Sequence, residues 1–159
     1  MDQIVWIAGG LLGAGILLAL LWRPLRRWWR AREVETAVRL FRLHREVLEA
    51  KFFDVASSLG KPKGLRWLDC NWQQPVTFAR DRNSGLLTAF VAVNVRFEAI
   101  EGGDMEGVAA VDTVRDAAAV FHYRGGRWGT GGRALFNLNP QDAIERLEDQ
   151  FEPVATGSR

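Results

Sequence analysis

Leu87-Thr88-Ala89-Phe90-Val91-Ala92-Val93-Asn94-Val95-Arg96-Phe97-Glu98-Ala99 decides the fold class. Leu87, Ala89, Val91, Val93, Val95, Phe97 and Ala99 are apolar at every second position, whereas Thr88, Asn94, Arg96 and Glu98 turn the other way. A period of two is the side-chain repeat of a β-strand with one face in a core. Thirteen residues rising ~3.3 Å each would reach roughly 43 Å, so a bent or bulged strand and a curved sheet are expected.

Outward from this strand the pattern stays antiparallel. Leu65–Trp72 and Val76–Arg82 read as two further strands separated by Gln73-Gln74-Pro75, and Asp81-Arg82-Asn83-Ser84-Gly85 supplies turn chemistry. Ala117–Arg124 is a strand that turns at Gly125-Gly126 into Arg127–Leu138, a hairpin signature. Met105–Asp116 reads either as a loop or as an edge strand. Asn139-Pro140-Gln141-Asp142 has an N-cap, a proline at the first helical position and an acid in the first turn, so a short helix with Ala143, Ile144, Leu147 and Phe151 as its stripe follows.

Upstream, the period changes to that of a helix. Val34, Val38, Phe41, Leu48, Phe52, Val55 and Leu59 recur at three, four or seven residues, and Leu40, Leu43 and Val47 widen the stripe. Glu35/Arg39, Arg42/Glu46 and Arg45/Glu49 add i,i+4 pairs, and Gly60-Lys61-Pro62-Lys63-Gly64 stops the helix. The expected architecture is α+β: a long amphipathic helix on a curved antiparallel sheet of about five strands, with a short C-terminal helix on the same side. This plan resembles that of cystatin-like and NTF2-like domains, an analogy of architecture that carries no function.

Before this domain, Ile4–Trp22 is an uncharged apolar run. At ~1.5 Å per residue it reaches about 28 Å, close to the ~30 Å hydrocarbon thickness of a bilayer. Ile4, Trp6, Leu11, Leu12, Ile16, Leu17, Leu18, Leu21 and Trp22 form its apolar surface. Arg23, Arg26, Arg27, Arg30 and Arg32, with Trp28 and Trp29, make a basic aromatic flank suited to the lipid interface. An acidic Met1-Asp2-Gln3, the length of the run and the lack of a small-x-small site argue against a cleaved signal peptide. The arginine asymmetry predicts an N-terminus outside and a C-terminal domain in the cytoplasm, anchored in the inner (plasma) membrane. Gly9 and Gly13 are a small-xxx-small pair through which two such helices could form a homodimer. The expected organisation is therefore an anchor at 1–22, a juxtamembrane segment at 23–32, a domain at 33–151 and a tail at 152–159.

Charge divides along the same line. Residues 1–32 carry five arginines and one aspartate, while 33–159 hold sixteen basic and eighteen acidic residues. The basicity thus belongs to the flank, and nucleic acid is not an expected partner. One cysteine, Cys70, leaves no intramolecular disulfide and no cysteine-based zinc site.

Chemistry-bearing motifs are sparse. Gly129-x-Gly131-x-x-Ala134 has the letters of a dinucleotide loop but sits where a strand continues, and the fingerprint must open a helix. His44 and His122 lie on different elements with no second metal ligand at the right spacing, and Asp69 and Asp112 form no recognisable carboxylate pair. Cys70 lacks a visible base, and Trp67, Trp72 and Trp128 read as core or sheet-face residues. No cofactor or metal is expected. Two functions follow from this: a membrane-anchored protein-binding or assembly module with an unknown protein partner besides lipid, or a ligand-binding or enzymatic cup lined by Asp69, His122 and Tyr123. A third, oligomerisation through the glycine face of the anchor, is separable by Gly13→Ile. A reporter active only outside the cytoplasm, fused after Arg159, should stay silent; strong activity would reverse the predicted orientation.

Overall fold

The computed structural model describes residues 22, 29–59, 62–108, 111 and 113–156. Ile4–Leu21, the Gly9/Gly13 pair and residues 23–28 lie outside the described residues, and among those described no helix is long and apolar enough to cross a membrane. The chain divides into two compact units, Met1–Thr36 and Ala37–Arg159. In the first, residues 29–36 are helical, with Trp22 and Trp29 exposed.

The second unit is α+β. Residues 37–43 are helical, and α1 (Arg45–Ser58) follows. The strands are β1 (Leu65–Asp81), β2 (Leu87–Ala99), β3 (Arg115–Arg124), β4 (Arg127–Gly129), β5 (Ala134–Phe136) and β6 (Phe151–Pro153), with α2 (Pro140–Arg146) before the last. All pairings are antiparallel in the order β4-β3-β2-β1-β6, and β5 also pairs with β3.

The helix expected over 33–59 is interrupted at His44 (φ −107°, ψ 15°). Backbone bonds still cross the point, from His44 N–H to Leu40 O and from Leu48 N–H to His44 O, while the imidazole Nδ1 sits 3.0 Å from that same Leu40 carbonyl. A side chain reaching back into the i−4 ladder is a recognised cause of local distortion. The buried stripe is consequently narrow: Ala37, Val38, Phe41, Leu48, Phe52 and Ala56 are buried, whereas Leu43 and Val47 are exposed. α1 ends with Leu59 N–H on Ala56 O.

Phe41 and Phe52 dock this layer on the sheet through edge and tilted ring contacts. Phe41 meets Phe78, Phe121 and Trp128 at 5.0–5.6 Å, and Phe52 meets Trp67, Trp72 and Phe121 at 5.4–6.1 Å. Offset aromatic pairs of this kind are worth about 0.5–1.5 kcal/mol each beyond area burial. The odd-numbered residues of β2 and β3 lie beneath them, because Ala89 pairs with Phe121 and Val91 with Ala119.

Part of the other sheet face is covered too. Phe90, Ala118, Val120 and Ala79 form a second cluster with Ala143, Ile144 and Phe151, and the Phe90 and Phe151 rings meet at 5.1 Å. The expectation that both helices share one side is thus corrected: α2 packs opposite α1. Asn139 caps α2, its Oδ1 accepting from Gln141 N–H and Asp142 N–H at 2.9 Å each.

Other boundaries move for backbone reasons. Leu65–Trp72 and Val76–Arg82 are one strand, with register shifts at Trp67/Asp69 and Trp72/Val76. The irregularities therefore fall in β1, while β2 pairs with β3 in unbroken register from Leu87 to Val95. Arg45 holds the second irregularity. Its guanidinium donates to Gln73 O at 2.5 Å and Gln74 O at 3.5 Å, with Nε on Glu49 at 2.6 Å. Residues 101–107 form turns rather than an edge strand. The strand expected over Arg127–Leu138 breaks into β4 and β5, and Thr130 Oγ1 and Arg133 O bond to the Val120 backbone in the gap. The expected terminal helix ends at Arg146, since Phe151 N–H turns back to Leu147 O and the chain returns along β1 with Asp81 opposite Phe151, yet Ala143, Ile144, Leu147 and Phe151 all pack in the second cluster.

Gly132 marks where this gap touches α1. Its φ is +70°, and a Cβ there would lie 2.7 Å from Ala56 N and 2.9 Å from Ala56 Cα. Gly125 at the hairpin tip also has positive φ but would meet nothing within 4 Å. Gly132→Ala combines left-handed strain with overpacking against backbone and should cost about 2–4 kcal/mol in denaturant unfolding, against about 1 kcal/mol for Gly125→Ala. Equal losses would refute the close approach.

Candidate functional site

The helix-side concavity that a curved sheet offers is filled. Phe121 lies fully buried at its centre, ringed by Phe41, Phe52 and Trp72. Trp67 stacks with Phe97 and Phe136, and Trp128 with Tyr123, so all three domain tryptophans serve packing.

Asp69, His122 and Tyr123 do not converge. Tyr123 is buried on the α1 face, where it pairs with Leu87. His122 points to the opposite face, half-buried, with Nδ1 3.2 Å from the hydroxyl of fully buried Thr88, its cross-strand partner. Asp69 pairs with Arg96, and its carboxylate accepts from that guanidinium at 3.2 Å. Thr88 and Arg96 are eight positions apart on β2, about 26 Å at ~3.3 Å per residue, so Asp69 lies far from His122.

A concavity does exist, in a different place. An open groove of about 670 Å³ lies on the α2 side beside the helix, lined among others by Gln73, Ala92, Asn94, Val114, Asp116 and Asn139. Several of the polar groups in it are bonded to one another. Asn94 Nδ2 donates to Asp116 Oδ1, Asn139 Nδ2 to Asp142 Oδ2 at 2.7 Å, and the Asn137 N–H to the Asp116 carbonyl at 2.7 Å. Asn137 holds φ +58°, a conformation asparagine tolerates better than most residues. Groups so matched offer shape and hydrogen-bonding edges rather than a poised acid or base.

Among the described residues no element covers this face beyond the groove, and it carries cross-strand ion pairs, Arg66–Glu98 and Asp69–Arg96, with half-exposed Leu68 and Val114 among them. Among the described residues no strand pairs with the outer edge of β1 from Leu65 to Thr77, since β6 covers only Ala79–Asp81. Such an edge presents unpaired backbone groups, here interrupted by two irregularities and Pro75.

Titration follows burial. The Cys70 thiol is pushed up to about 12, first by burial and then by the Asp69 carboxylate, which leaves it protonated and a poor nucleophile at neutral pH. Burial also lowers His122; Asp81 opposes this, and Arg133 and Arg124 reinforce it. Asp81 is held low, chiefly by the Ser84 N–H, with Gln150 and Asn83 contributing. Among the described residues no three His, Cys, Asp or Glu side chains gather to hold a metal ion.

The chain matches no family model, no curated protein and no solved structure. Sequence periodicity had no means of finding the groove, since Gln73, Asn94, Asp116 and Asn139 come from four separate segments that only strand register brings together.

His122 is neutral in the folded protein at pH values where an unfolded histidine, with its pKa near ~6.5, begins to take up a proton. The unfolded state then binds more protons, so stability falls as pH drops below that value. Urea unfolding at pH 7 and pH 5 should show a smaller loss for His122→Gln than for wild type; identical losses would remove His122 as the source.

Proposed function

We propose that this chain is a single-pass inner-membrane protein, anchored through Ile4–Trp22 with its N-terminus outside, whose cytoplasmic α+β domain is a protein-binding or assembly module. The open half of the second sheet face supports this reading: one face is packed by α1 and its aromatic rings, while Leu68 of β1, Ala92 and Asn94 of β2 and Val114 just before β3 lie on the other, and β1 separately leaves a long outer edge without a partner strand among the described residues. An edge and a mixed apolar–polar face suit an added strand or a docked segment. The satisfied hydrogen bonds of the groove favour recognition over catalysis. The cystatin-like or NTF2-like plan belongs to the same proposal, as does homodimerisation through Gly9 and Gly13.

A small-ligand role finds one favourable observation, the 670 Å³ groove, whose size falls in the usual ligand range. Its lining is that of the groove and not His122 or Asp69.

Val114 is half exposed and lines the groove, so an arginine there should leave folding intact and block docking. Capture of the detergent-solubilised full chain, with co-purifying proteins quantified, should show a specific partner reduced about tenfold or more by Val114→Arg, a loss of ~1.4 kcal/mol. An unchanged partner profile would sink the assignment of this face.

A further inference from the structure

The β1–β2 and β3–β4 turns lie side by side at one end of the sheet, because Leu87 pairs with Tyr123 and Arg124 with Arg127. Arginines collect there. Arg124 and Arg127 stand directly opposite each other across Gly125-Gly126, both exposed, and like charges in that position destabilise a hairpin. Among the described residues neither meets a carboxylate within ion-pair distance. Nearby Asp81 is occupied, accepting from Asn83 N–H, Ser84 N–H and the Gln150 amide. Arg82 adds a further cation, engaged with Glu148 O and, at 3.9 Å, Glu152. The positive field of Arg124 and Arg133 also reaches His122.

The opposite end of β2 leads into Glu98, which is paired with Arg66, and then into Glu101, Asp104 and Glu106. The chain enters this unit at the basic end: Trp128, the neighbour of Arg127, donates its indole N–H to Ala37 O at 2.7 Å. About fifteen residues separate Ala37 from Trp22, a tether of at most ~50 Å.

We propose that the Arg124–Arg127 hairpin tip docks on anionic phospholipid headgroups, so that the basic end of the domain faces the bilayer. The proposal rests on the anchored reading above. Charge complementarity and the short tether select this occupant: an anionic leaflet supplies the counter-charge that the hairpin lacks. Each arginine brought to such a surface should raise the docked fraction about fivefold.

The test uses the full chain in nanodiscs of phosphatidylcholine alone or with ~30% phosphatidylglycerol, reading amide exchange over residues 121–129 by mass spectrometry. Exchange at Gly125–Arg127 should slow about tenfold in the anionic discs. Arg124→Gln with Arg127→Gln should abolish the difference, and Arg124→Lys with Arg127→Lys should keep most of it. Equal exchange in the two lipids overturns the proposal. So does equal protection from 10 mM inorganic phosphate in the neutral discs, which would mark a free-ion site. If the chain fails to enter discs, the anchor reading fails by itself. Flotation of the same chain on phosphatidylglycerol vesicles then decides the hairpin: loss of flotation in the double glutamine variant supports docking, and no effect overturns it.

Discussion

Phe121 is the contact on which the rest of the domain depends. From the middle of β3 it meets Phe41 and Phe52, the two rings that hold the helical layer on either side of His44, and Trp72 of β1. One buried side chain thus fixes helix against sheet and β1 against β3. It also fills the concavity in which a ligand would otherwise sit. The proposed recognition is therefore assigned to the other face and to the edge of β1.

That other face is divided. Where Phe90, Val120 and Ala79 are buried, α2 and β6 cover the sheet; where Asn94, Arg96 and Asp116 replace them, it is open. The boundary is set by polarity, since covering Asn94–Asp116 or Asp69–Arg96 with an apolar helix would cost desolvation that their mutual bonds only partly offset. The groove is the seam between the two halves.

Much of this was legible in the residues. The alternation of Leu87–Ala99, the Gly125-Gly126 hairpin and the Asn139-Pro140 helix start each rest on local backbone chemistry, and each is found in place. The second covered face also has a sequence signal: Phe90 and Ala92 stand among the even positions of β2, and a strand apolar on both sides asks for burial on both. β6 left less trace, since three residues held by backbone pairing have no periodicity to show. The joining of β1 across Gln73-Gln74-Pro75 depends on Arg45, 28 residues away from Gln73, and the pairing of His122 with Thr88 depends on register. The groove and the Gly132–Ala56 approach are likewise products of tertiary packing, outside the reach of a window along the chain.

The claim that the α1 face is a packed core and not a binding cup can be measured by truncating its centre. Phe121→Ala in the full chain, unfolded by urea in detergent micelles and followed by near-ultraviolet circular dichroism, should lose about 3–5 kcal/mol, the sum of lost transfer energy and an unfilled cavity. A loss below ~1 kcal/mol would mean that the rings around it are not closely packed, and the assignment of recognition to the opposite face would lose its basis.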